Sequence, residues 1–163
     1  MEAGRFSLQT ETLLDRADRI CEARGARLTD LRRQVLGLIL ETPGPAGAYE
    51  LLDRLRPTRH SAAPPTVYRA LDFLLEHGLI HRLERLSAFV GCVAHEHEDH
   101  AAQFLICVAC KRVIELEDRG TADALAEAAG RAGFSVSRAT VEAEGVCDAC
   151  ARAGSVPVGA ERH

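Results

Sequence analysis

PPTVYRALDFLLEHGLIHRLERLSAFVGCV, residues 64–93, changes its hydrophobic period halfway along. In the first half, Val67, Ala70, Leu71, Phe73 and Leu74 recur at helical spacing after two prolines suited to a first helical turn. Gly78 can end that helix. Beyond it, residues 79–83 and 88–93 read as strands separated by a short polar turn. A helix followed by a small hairpin is the closing order of a winged helix, a helix-turn-helix variant.

Working outward, the preceding residues supply the rest of such a domain. Residues 8–23 carry a helical stripe of Leu13, Leu14, Ala17, Ile20 and Cys21, with Gly25 placed to end it. Thr29 can cap a second helix bearing Val35, Leu36, Leu38, Ile39 and Leu40, stopped by Pro43-Gly44-Pro45. A third, short helix is expected over 48–56, ahead of Pro57. Toward the C-terminus, residues 94–102 are rich in His and acids and mark the joint between domains. Strands are expected at 104–109, 112–117 and 134–143, with an alanine-rich helix at 121–132 and a turn at 147–151. The expected class is α+β, a winged helix-turn-helix domain over 1–93 and a small α/β domain with a three-stranded sheet over 103–153. Between them lies a hinge at 94–102, and 154–163 is expected to be a frayed tail.

Composition limits the functions. The chain has 163 residues, 47% of them hydrophobic, enough for one ordinary or two small cores. Its longest apolar run is seven residues, 104–110, far short of the roughly 20 a membrane span needs. Residues 1–10 lack a signal-peptide pattern, so a cytoplasmic location is expected, without membrane contact. The net charge is −4, yet Lys, Arg, Asp and Glu leave residues 1–90 at +1 and residues 91–163 at −5. Between Arg54 and Arg69 lie four Arg and one His with no acid. On charge alone, a directed anion contact and an ordinary solvated face are equally open.

The cysteines carry the sharpest chemical signal. Cys107-x-x-Cys110 and Cys147-x-x-Cys150 have the spacing of two zinc knuckles, and together they complete a closed four-thiolate site. Such a site holds a fold together and is not expected to be the sensor. A second group of candidates crowds the joint: His81, Cys92, His95, His97 and His100 with nearby acids. Residues 95–100 also match H-x-H-x-D-H, a hydrolase metal motif. The chain offers no later His except His163, so the enzyme reading lacks its further ligands.

Pro65-Thr66-Val67-Tyr68-Arg69-Ala70-Leu71, followed by a wing, a His-rich joint and two C-x-x-C pairs, resembles the ferric-uptake-regulator family. Arg27-Leu28-Thr29, Ala48-Tyr49 and residues 64–75 are most similar to its zinc-sensing branch. Asp30-Leu31-Arg32 departs from it, since Pro-Gln-Arg is common there. The resemblance implies a repressor that binds a pseudo-palindromic operator in double-stranded DNA as a homodimer when zinc-loaded, and represses zinc-uptake genes. It implies two Zn2+ per subunit, a structural ion on Cys107, Cys110, Cys147 and Cys150 and a regulatory ion on His81, Cys92, His100 and Glu115. It also makes the helix from Pro65 the recognition helix. Arg69 would then read guanine, Tyr49 would contact a base, and Thr66 and Tyr68 would bond phosphate. The alternative within the family is a sister sensor of iron, manganese or peroxide. A thiolate among the joint ligands favours zinc.

Overall fold

The computed structural model describes residues 6–93 and 101–155. They belong to two compact units, divided between Glu96 and His97. In the first unit, α1 (Leu8–Ala23) starts where the Ser7 hydroxyl accepts the Thr10 N–H at 3.2 Å, and it buries Thr10, Leu14, Ala17 and Cys21 on one stripe. α2 (Asp30–Glu41) is capped by Thr29, whose hydroxyl accepts from the Arg32 N–H, and buries Val35, Leu36 and Ile39. α3 (Ala48–Leu55) buries Ala48, Leu51, Leu52 and Leu55, and α4 (Pro64–Glu76) buries Val67, Ala70, Leu71 and Leu74. These stripes share one apolar core with Leu79, Ile80 and Phe89. α4 stops because Gly78 adopts φ +67°, which lets the Leu79 N–H bond back to the Leu74 carbonyl at 2.9 Å.

The wing follows as β2 (Ile80–Leu83) and β3 (Ala88–Gly91), joined through a 3-10 turn (Glu84–Leu86). The antiparallel register pairs Ile80 with Gly91 and His81 with Val90. A further strand, β1 (Ala46–Gly47), pairs with β3 on its other side, giving the order β1-β3-β2. Two residues between Pro45 and a helix carry no readable alternation, so this strand exists only through its partner.

In the second unit, β4 (Ala102–Cys107) is central. It pairs antiparallel with β5 (Val113–Leu116) and parallel with β6 (Thr140–Gly145), in the order β5-β4-β6. This is the three-stranded sheet expected. Ala102, expected in the hinge, already belongs to β4. α5 (Arg119–Arg131) begins two residues before the expected start because Asp118 caps it, accepting from the N–H groups of Gly120 and Thr121. The third strand is a correction, since it runs over 140–145 and not 134–143. Gly133 ends the helix at φ +73°, and the Phe134 N–H bonds back to the Ala129 carbonyl, committing that residue to the helix end. Residues 134–139 then form an irregular approach to the sheet. The expected turn at 147–151 is a short helix, α6 (Asp148–Arg152). Residues 94–100, most of the expected hinge, and 156–163, most of the expected tail, lie outside the described residues.

Candidate metal centres and nucleic-acid face

The second unit brings all four knuckle cysteines together. Cys107 ends β4, and the chain turns back at once: the Lys111 N–H bonds the Cys107 carbonyl at 2.9 Å, with Lys111 at φ 62°. Cys110 lies on that turn. Cys147 caps α6 and Cys150 lies within it, so a single helical turn sets the second pair. Because β6 runs parallel beside β4, its end delivers Cys147 next to Cys107. The Cys147 N–H points at the Cys107 sulfur at 3.4 Å, and the sulfurs of Cys110 and Cys147 are 3.8 Å apart. All four sulfurs lie within 4.8 Å of one another, and none is in a disulfide.

Those distances test whether zinc fits. Sulfurs bound at about 2.3 Å in a tetrahedron are about 3.8 Å apart, the separation of Cys110 and Cys147. The electrostatics point the same way. Backbone N–H groups of Cys110 and Cys147 hold the Cys107 thiol down to about 6. The neighbouring sulfurs, Cys147 and then Cys110, push Cys150 up to about 12. Four sulfurs this close therefore resist becoming four thiolates unless a cation joins them. The donor set fits a closed zinc site.

In the first unit, the wing brings together two of the joint candidates. His81 lies on β2, and Cys92 follows β3, its N–H bonded to the Leu79 carbonyl at 2.9 Å. That bond extends the hairpin ladder and places His81 Nε2 2.7 Å from Cys92 Sγ. Cys92 is buried and His81 half-buried. An imidazole and a thiol in contact at the base of a wing are a soft ligand pair suited to zinc. Glu115 belongs to the second unit, on β5 opposite Phe104, and is half-buried. His95, His97 and His100 lie outside the described residues.

The nucleic-acid candidates share the first unit. Tyr49, near the start of α3, is 68% exposed, and Tyr68 on α4 is 44% exposed. Such exposure goes against a core role for either ring. Arg69 is exposed and, among the described residues, its side chain makes no hydrogen bond or ion pair. The Thr66 hydroxyl accepts the Ala63 N–H at 3.4 Å, so it also caps α4. The basic run resolves into separate tasks. Arg54 bonds the Leu38 carbonyl and Thr42 hydroxyl at the end of α2, Arg56 pairs with Asp53, and Arg59 bonds Gln34. Arg54 and Arg59 thus reach across to α2, Arg56 pairs within the end of α3, and Arg69 is left as the unengaged arginine of the run. Sequence gave no sign of this division, because the partners lie up to 25 residues away.

A sequence model described as the ferric uptake regulator family matches residues 23–144. The zinc uptake regulation protein of Escherichia coli (strain K12) is 41% identical over 154 residues, covering 94% of this chain and 87% of that protein. A solved zinc uptake regulator complexed with zinc and DNA superimposes with a TM-score of 0.83 at 39% identity, covering 92% of this chain and all of that one. The crystal structure of holo XcZur gives a TM-score of 0.74 at 43% identity, with 86% and 98% covered.

Proposed function

The chain belongs to the ferric uptake regulator family, and from that premise we propose that it is a zinc-responsive transcriptional repressor, not an enzyme. One observation carries the proposal. A single winged-helix unit presents an unengaged Arg69 on α4 and holds a soft ligand pair, His81 and Cys92, at the base of its wing. The helix would enter the major groove, with Arg69 donating to guanine and Tyr49 beside it. Tyr68 and Thr66 would bond phosphate through their hydroxyls. The zinc uptake regulator in complex with zinc and DNA supports this assignment by its likeness.

Two zinc ions per subunit would divide the labour. Cys107, Cys110, Cys147 and Cys150 would hold a structural ion, and His81, Cys92, His100 and Glu115 a regulatory one. Bound zinc supplies a positive charge that lets thiolates and imidazoles share one small volume. The regulatory ligands come from both units, so their joint engagement would favour one arrangement of the winged helices over others. A homodimer would present two such helices to a pseudo-palindromic operator, and zinc sufficiency would favour repression of zinc-uptake genes.

Dimerisation has its own support in the second unit. Leu105 on β4 stands between Ile114 and Ala143, and Leu116 and Val141 flank the next position along the same sheet face. Leu105, Ile114 and Leu116 are 37–40% exposed. These apolar residues surround one polar position, Gln103, and a largely apolar sheet face suits burial against a second copy. A cytoplasmic location agrees with this role, and no helix of the described residues is long and apolar enough to cross a membrane.

The direct test is metal analysis combined with DNA binding at buffered free zinc. A duplex enriched from a random pool should show dyad symmetry and bind more tightly as zinc rises. A protein that responds to iron or manganese and ignores zinc would overturn the assignment in favour of a sister sensor.

A further inference from the structure

We propose that Arg32 is a positioning residue for DNA reading: it clamps the C-terminal half of α4 and so fixes where Arg69 stands. This rests on α4 being the recognition helix. Thr66, Arg69, Phe73 and His77 follow one another at spacings of three, four and four, so they form one stripe on α4 and its C-cap. The stripe begins with the DNA-facing residues and ends in a stack. The Phe73 and His77 rings lie 4.1 Å apart at 27°, and the Arg32 guanidinium sits over Phe73 at 3.6 Å from its centroid. Arg32 is itself anchored, with Nη1 donating to the Arg27 carbonyl at 2.7 Å. Arg24, from the end of α1, donates to the His77 carbonyl at 2.7 Å. The end of α4 is therefore gripped by arginines from two other helices.

The opposite face of α4 shows why such a grip is needed. Val67, Ala70, Leu71 and Leu74 pack into the core through aliphatic contacts, which hold the helix against its neighbours but supply no directional bond near the end of the Arg69 stripe. A guanidinium plane stacked on a ring and tied to a fixed carbonyl has a preferred position and orientation. Arg69 is eight residues from His77, about 12 Å along the axis, so a slight rotation at the stack displaces the guanidinium that must meet a base edge. Bidentate base contacts tolerate little displacement. Arg32 itself has its charge laid on Phe73 and one nitrogen spent on Arg27, the arrangement of a holder.

The test compares the zinc-loaded wild type with Arg32→Lys and Phe73→Leu. Lys keeps the charge but lacks the flat fork. The probes are a duplex enriched from a random pool by the wild type and an unselected duplex of equal length, each titrated across salt. Both variants should bind the enriched duplex about tenfold more weakly and the unselected one as before, with the salt slope unchanged. The double variant should lose no more than either alone. Amide exchange at His77, Gly78 and Leu79 should quicken in both variants without DNA. If Arg32→Lys binds like wild type while Arg32→Met weakens both duplexes and lowers the salt slope by about 0.9, Arg32 is a phosphate contact and the clamp is wrong. Equal losses on both duplexes, or amide exchange unchanged in the variants, also overturn it. A wild type that enriches no duplex, with exchange quickened as expected, sinks the DNA reading and leaves the clamp standing.

Discussion

Arg69 and Tyr49 show how much a single side chain reveals by what it leaves undone. Both are exposed on a unit whose neighbouring arginines are spent on internal contacts. Arg69→Ala should cost about 1–3 kcal/mol on the enriched duplex and relax preference at one base position, with zinc content unchanged. Equal loss on random DNA would make Arg69 a phosphate contact. Lys111 makes the opposite case, a residue whose backbone is strained. Its φ of 62° is the left-handed region, where a side chain costs about 1–2 kcal/mol, partly offset for glycine by the freedom lost on folding. Lys111→Gly should therefore stabilise the zinc-loaded protein by about 0.5–1 kcal/mol in urea unfolding, without altering metal content. A loss of stability would mean that the Lys111 side chain contributes more than its backbone costs.

Among elements, the helix starts of the first unit were legible and their partners were not. Thr29 ahead of a stripe of apolar residues announced α2, and its hydroxyl does cap the helix, accepting from the Arg32 N–H. Thr29→Ala should cost about 1 kcal/mol in thermal unfolding. It should also loosen Arg32, the residue placed to hold α4. At α5 the cap is a carboxylate. The Thr121 hydroxyl, then the N–H groups of Thr121 and Gly120, hold the Asp118 carboxyl below its ordinary value. A depressed carboxylate contributes stability above its unfolded pKa, and that contribution is lost as pH falls through the lower folded value. The start of α5 should thus fray on acidification, with the Thr121 amide resonance following the titration of Asp118. In Asp118→Asn, the shift of that resonance with pH should vanish. If it persists, another group is responsible. The strand at 134–143 was misplaced because alternation of apolar residues cannot register a helix end that reaches forward to Phe134.

At the scale of the whole molecule, the two proposed zinc sites should fail differently. Cys107→Ser opens the four-sulfur cluster on which the ends of β4 and β6 converge. The second unit should lose order, zinc and its dimeric state, which zinc analysis and light scattering would record. Cys92→Ser removes one sulfur beside His81 and leaves that cluster complete. The variant should stay folded and dimeric, hold about one zinc per subunit, and bind the enriched duplex with no gain as free zinc rises. A Cys92→Ser protein that responds to zinc as the wild type does would place the sensor elsewhere, with His95 and His97 the first residues to examine. A stable, dimeric Cys107→Ser protein with unchanged zinc would remove the structural site.

The sequence alone determined the order of helices and wing, the four-cysteine set and the apolar stripe of the helix that carries Arg69. Each of these is written in local spacing, a helical period, a C-x-x-C pair or a glycine at a helix end, and local spacing survives without knowledge of the fold. The tertiary structure decided which candidates meet. It laid β6 parallel to β4 so that Cys147 reaches Cys107, and paired β2 with β3 so that His81 touches Cys92. It also laid Arg54 on the Leu38 carbonyl and Arg59 on Gln34, and set Arg32 on Phe73. Contacts between side chains distant in sequence depend on how strands pair and helices cross, and no local pattern encodes that.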